Sequence, residues 1–223
     1  ITIDLGTDGN GDEIEWEGLF KPQDISDGTF KILNLTLKFK SDIKQYCGGF
    51  ISDSDSITGY KVNILNCKSI TDNSNTIKNY GGGIVGKAFF KGTLQYCYNN
   101  LGINGYAGGI CGADSGQSSN NGITIKYCYC ESPILDNESG GIAGQNLKNA
   151  NILYCYYINP EENGLNKNNF GGIAGKNTGD GGDVVIKHCY SKFVGKNDNS
   201  YDSGGICGPN TASNSGSLTI YNC

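Results

Sequence analysis

Ten cysteines give this 223-residue chain most of its potential chemistry. An even number of thiols can form disulfides, converge on a metal, or lie buried as small hydrophobes. Their positions separate these uses. Cys67, Cys97, Cys128, Cys155, Cys189 and Cys223 each stand three residues after an Ile or Leu, in "ILNC", "LQYC", "IKYC", "ILYC", "IKHC" and "IYNC". Zinc needs close pairs of ligands, and only Cys128-x-Cys130 is close, so no metal is expected there. A ladder of reduced thiols is the favoured reading. Bridges between neighbouring repeats stay open, because residues stacked about 4.8 Å apart fall within the disulfide window.

Rings flank the cysteines. Tyr98, Tyr129, Tyr156 and Tyr190 follow them, while Tyr96, Tyr127, Tyr154 and then His188 precede them. Stacked rings that stabilise a sheet corner are one reading, and a face on which a glycan lies is the other. His188 holds a ring position and lacks the nucleophile and orienting acid that a catalytic His requires. The best acidic cluster is "DGNGDE", where Asp8, Asn10 and Asp12 match the first ligand positions of a calcium loop. Glu13 then replaces the turn glycine and Leu19 the closing Glu, so a plain glycine turn is expected and no metal is assigned. Other acids are scattered, as in "SDSDS" and "NPEEN", which weakens the case for a carbohydrate-cleaving enzyme with paired carboxylates.

The elements that carry these residues follow from two signals in step. One is the Cys column, extended backwards by Leu35. The other is a glycine pair before an apolar pair, with its second Gly at 49, 83, 109, 141, 172 and 205 and a degenerate copy at Gly18. Both recur at about 31 residues and alternate strictly. Three residues before the Cys column stand Ile32, Ile64, Leu94, Ile125, Ile152, Ile186 and Ile220. One further back stand Lys31, Asn63, Thr93, Thr124, Asn151, Val185 and Thr219. This is strand alternation, and turn residues break every apolar run. A single unit of this kind cannot bury its own apolar face, so the units must stack. The expected fold is all-β: one parallel β-helix (β-solenoid) domain over residues 1–223, of about seven coils and roughly 31 residues per coil. A third apolar patch after each Cys ("LKF", Ile70, Ile103, "IL" at 134–135, Ile158, "FV" at 193–194) suggests a triangular section. In "GGIxG" the glycines are expected to supply positive φ and close approach between coils. Six copies without a following helix or a Lys-Ser/Thr are the wrong context for phosphate binding.

The repeated "GGIxG" and "IxxCY" pattern, covering Gly18 to Cys223, resembles GLUG-type repeats of bacterial surface adhesins and, more loosely, right-handed parallel β-helix proteins. Similar Cys-bearing repeats occur in protist and giant-virus proteins. The resemblance implies display and structure more than catalysis, at a cell surface or on a virus particle.

Composition narrows the partners. The chain has 35 Gly but only four Pro and no G-X-Y period, which excludes collagen and Pro-rich disorder. All 17 cations are Lys and the net charge is −5, so the guanidinium forks that read nucleic acid are absent. The longest apolar run, "ILYCYYI", is too short for a membrane span. The start at Ile1 and the stop within "LTIYNC" suggest a piece of a longer solenoid or a stacking unit without caps. The expected function is therefore a non-enzymatic structural element with no cofactor, partnered by itself or a neighbouring protein through β-edge stacking. A glycan-binding adhesin module is the second reading, and a carbohydrate-active enzyme the third.

Overall fold

The computed structural model describes residues 1–3, 15–21, 28–52, 61–87, 91–116, 122–160, 168–193, 202–212 and 214–223. Two seven-stranded parallel sheets form the stack. One, the isoleucine sheet, comprises Thr29–Leu33, Lys61–Leu65, Lys91–Gln95, Ile123–Lys126, Ala150–Leu153, Val184–Lys187 and Leu218–Tyr221. The other, the tyrosine sheet, comprises Thr2–Ile3, Thr36–Phe39, Lys68–Thr71, Tyr98–Asn99, Tyr129–Glu131, Tyr156–Asn159 and Tyr190–Phe193. Each strand pairs with its equivalent one repeat away, so the period read from the sequence becomes the rise of a parallel β-solenoid.

The aliphatic column is the register itself. Ile32 pairs with Ile64, Ile64 with Leu94, Leu94 with Ile125, and so on through Ile152 and Ile186 to Ile220. Period two sends these residues inward, and all but Ile220 are buried. Ile220 keeps register but is 46 % exposed.

The third side of the coil is built from bridges. Trp16, Ile43, Ile77, Ile103 and Ile134 make one ladder, widened to a two-stranded sheet at Thr76–Ile77 and Gly102–Ile103. Phe20, Ile51, Val85, Cys111, Ala143, Ala174 and Cys207 make another beside the glycine pairs. The third apolar patch of the sequence thus divides. Ile103 and Ile134 belong to the third side, whereas Leu37, Phe39 and Phe193 lie in the tyrosine sheet and Val194 lies outside the described residues. Ile70 and Ile158 are also in the tyrosine sheet, only half-buried, because strand parity turns Ser69, Thr71, Tyr157 and Asn159 inward instead.

The motif glycines correct a second expectation. Apart from the degenerate copy at Gly18, none of them has positive φ; the other glycines in that region are Gly28, Gly116, Gly179 and Gly181. Close approach is their whole reason. A Cβ on Gly82 would meet the Val85 carbonyl oxygen, and one on Gly140 that of Ala143. The second glycine of the pair faces the inward column of the tyrosine sheet. Gly49 abuts Ser69, Gly83 abuts Asn99, Gly109 abuts Cys130, Gly141 abuts the Tyr157 ring and Gly172 abuts Ser191. Glycine here makes room for a side chain from the opposite wall.

Candidate functional site

The corner between the two sheets gathers the chemistry. The residue before each Cys turns the chain, and it does so in the left-handed region: Asn34, Asn66, Tyr96, Tyr127, Tyr154, His188 and Asn222 all have φ between 51° and 54°. Asn tolerates this conformation through its short polar side chain, but a Tyr there carries a cost of about 1–2 kcal/mol. Main-chain bonds between coils continue through the corner and offset it. Tyr96 N–H donates to the Lys126 carbonyl (3.2 Å), Tyr127 to Leu153 (3.0 Å), Tyr154 to Lys187 (3.0 Å) and His188 to Tyr221 (3.0 Å).

With the turn residue pointing out, the Cys points in. Cys67, Cys97, Cys128, Cys155 and Cys189 are buried, and Cys223, like Ile220, is exposed. Each Sγ reaches the carbonyl of the aliphatic residue one coil earlier: Cys97 to Ile64 (3.7 Å), Cys128 to Leu94 (3.5 Å), Cys155 to Ile125 (3.6 Å) and Cys189 to Ile152 (3.5 Å). All ten thiols are free. Burial pushes the Cys67 thiol up to about 11 and those of Cys111, Cys130 and Cys207 up to about 12, so they remain protonated and unreactive at neutral pH. Cys128 and Cys130 have different surroundings. The first is held at the corner, while the second meets Ser132 Oγ (3.1 Å) inside the tyrosine sheet. Among the described residues no group of three or more His, Cys, Asp or Glu is placed to hold a metal. Asp8, Asn10 and Asp12 lie outside the described residues.

Outside the corner two files of rings run along the stack. Before the Cys, Tyr96, Tyr127, Tyr154 and His188 stack with centroids 5.2, 5.1 and 4.8 Å apart and planes within 18° of parallel. After it, Tyr98, Tyr129 and Tyr156 follow at 5.1 and 4.0 Å. Tyr98 and Tyr129 are half-buried, while Tyr156 and Tyr190 are exposed. Tyr129 Oη donates to Glu131 Oε2 at 2.6 Å. Burial, reinforced by the Glu131 charge, raises the Tyr98 phenol to about 12 and that of Tyr129 further still. In the stacked pairs the π-faces are turned to neighbouring rings, so the surface presents mainly ring edges and hydroxyls.

The chain matches no family model, no curated protein and no solved structure. The β-solenoid therefore stands on the geometry above, and the likeness to GLUG-type repeats on its motif alone.

A third ring file was not read from the sequence. Tyr46, Tyr80 and Tyr106 stack at 4.9 and 4.7 Å, also with positive φ, two residues before the glycine pair. "YCGG", "YGGG" and "YAGG" carried the signal. Glu138, Asn169 and Asp202 continue that column with the same backbone. A third positive-φ column, Asp114, Asn146 and Asn177, is tied by side-chain amides, Asn146 Nδ2 to Asp114 Oδ1 (2.7 Å) and Asn177 Nδ2 to Asn146 Oδ1 (2.8 Å). Among the described residues no helix is long and apolar enough to cross a membrane.

Proposed function

We propose that this chain is a non-enzymatic structural element, a rod of stacked coils within an extended surface, fibre, coat or virion-associated assembly. One observation carries the reading. The side chains with most chemistry on offer, the thiols and phenol rings, are committed to their equivalents or to the backbone one coil away, not gathered around a common point. A ladder of this kind stiffens a rod, since every coil adds one more ring pair and one more set of backbone bonds. The glycan-binding alternative needs ring faces free for sugars, and along Tyr129 and Tyr156 those faces cover each other.

Negative-stain imaging with light scattering, over a range of concentrations under reducing conditions, tests this. Rods that lengthen or bundle as concentration rises are expected. Particles that stay single at every concentration while neutral glycans bind the Tyr98–Tyr190 file would favour the adhesin reading. Release of oligosaccharide, abolished by an Asp or Glu substitution, would replace both with an enzyme.

A further inference from the structure

The lysines are not spread evenly over this acidic chain. On the third side of the coil and around its turns they are neutralised: Lys44 by Glu17 (2.5 Å), Lys78 by Asp42 (2.8 Å) and Lys176 by Glu138 (2.9 Å). Lys38 of the tyrosine sheet is paired too, with Asp72. The outer face of the isoleucine sheet differs. Its outward positions carry Lys31, Lys61, Lys91, Lys126 and Lys187, and its strands contain no Asp or Glu. Among the described residues no carboxylate pairs with any of these five. Asp183, which leads into the strand of Lys187, accepts a bond from Ser217 Oγ (2.6 Å).

Two of these lysines oppose each other. Lys61 and Lys91 are register partners in adjacent coils, an arrangement that costs stability unless an anion lies between or across them. Lys31, Lys61 and Lys126 stand around a shallow open concavity that also presents Asn63, Thr93 and Gln95. The tyrosine file beginning at Tyr96 borders it, one residue beyond Gln95.

We propose that this face binds a linear acidic polysaccharide laid along the rod axis. Charge complementarity supplies the sign: a chain of net charge −5 has left the strands of one sheet with five outward lysines and no acid. The groups between them supply the class. Asn63, Thr93 and Thr124 repeat once per coil and offer amide and hydroxyl partners to a hydroxyl-rich chain. The backbone of the inner strands is already bonded to a neighbour on each side, so this face gives an acidic peptide no edge to join. Lysine ammoniums suit carboxylate or sulfate groups as point charges, without demanding the planar fork that arginine provides.

The test is affinity electrophoresis of the whole chain in gels containing polygalacturonate, dextran sulfate, neutral dextran or poly-glutamate, at two salt concentrations. Retardation by a charged polysaccharide, weakened by salt, is expected. The double variant Lys61→Gln/Lys91→Gln should bind at least about tenfold more weakly, and Lys68→Gln/Lys192→Gln on the tyrosine sheet should change binding less than about twofold. Removal of an in-register like-charge pair should leave the melting temperature equal or higher, so a loss of binding would not be a loss of fold. Polygalacturonate without dextran sulfate would identify the anion as carboxylate, and the reverse as sulfate. Three results would overturn the proposal: no retardation by either acidic polysaccharide, equal loss in both double variants, or poly-glutamate binding as tightly as the polysaccharides.

Discussion

Gly141→Ala is the sharpest test of how the coil is closed. The new Cβ would fall on the Tyr157 ring and on the carbonyl oxygen of Gly172. Neither can retreat cheaply. Tyr157 is fully buried and its hydroxyl donates to the Ser132 carbonyl at 2.8 Å, while the Gly172 carbonyl belongs to the next coil. Overpacking of a core site costs about 1–3 kcal/mol, and tilting the ring away from Ser132 leaves a buried polar group without its partner for about 1–3 kcal/mol more. A loss of about 3 kcal/mol is expected, which for a chain of this size lowers Tm by about 6–12 °C. Gly205 holds the equivalent place in its own motif, yet a Cβ there meets nothing within 4 Å. Gly205→Ala should therefore melt within about 2 °C of the parent. Pairing Gly141→Ala with Tyr157→Ser, the residue type found at this position in Ser69 and Ser191, should cost less than the two single changes summed. Thermal and urea melts of the parent, the three single variants and the double variant decide the matter. Equal losses in Gly141→Ala and Gly205→Ala, or no loss in either, would refute the idea that these glycines exist to admit side chains from the facing wall.

The thiols offer a second check. A thiol reagent at pH 8 should label Cys223 rapidly and leave Cys67, Cys97, Cys128, Cys155 and Cys189 untouched until the chain is unfolded, as mass spectrometry of labelled peptides would show. Folding raises the thiols of Cys111 and Cys130 from the ordinary 9.0 to about 12, so the stability they contribute is complete below pH 9 and declines as pH rises toward 12. Urea melts at pH 8, 9.5 and 11 should show that fall; a flat profile would contradict it. At the corner, Tyr127→Ala should lose about 1–3 kcal/mol from two stacked pairs, whereas Tyr127→Gly, free of left-handed strain, should lose about 1 kcal/mol less. The usual order, Ala above Gly, would count against that corner geometry.

The Ile and Cys columns were legible because strand parity and a fixed period leave few alternatives: a residue such as Ile125 with a polar neighbour on each side must face inward. Burial of the cysteine ladder could be read the same way. The corner between them could not. "KYCY" gives no sign that Tyr127 sits at φ 54°, since that region is rare for aromatic residues and is forced here by the angle between two sheets. Asn34 and Asn66, in the same column, were the better clue. The polar interior was hidden too. Asn99 looks like a loop residue, yet it is fully buried and satisfied by the Leu101 carbonyl of its own coil (3.2 Å) and by Ser132 Oγ (3.1 Å), a contact that exists only once the neighbouring coil is in place. The glycines were read correctly as close-approach positions and incorrectly as positive-φ positions, because sequence shows that a side chain is missing but not which neighbour occupies its place.

Repetition explains why the thiols and rings of the described coils line up in columns. A catalytic centre requires unlike groups to converge on a point, whereas a parallel stack places like over like: Cys over Cys, Tyr over Tyr, Ile over Ile. For apolar and aromatic residues each added copy is favourable, so their columns persist over many coils. For charge the sign reverses, and a column of like charges is stable only when acids interleave or an outside anion lies along it. The rod does the first at Lys44, Lys78 and Lys176. Between Lys61 and Lys91, among the described residues, it does not. The departure from its own pattern therefore falls on the outer face of the isoleucine sheet, where a solenoid of this kind gains most from a polyanionic partner and where binding is best sought first.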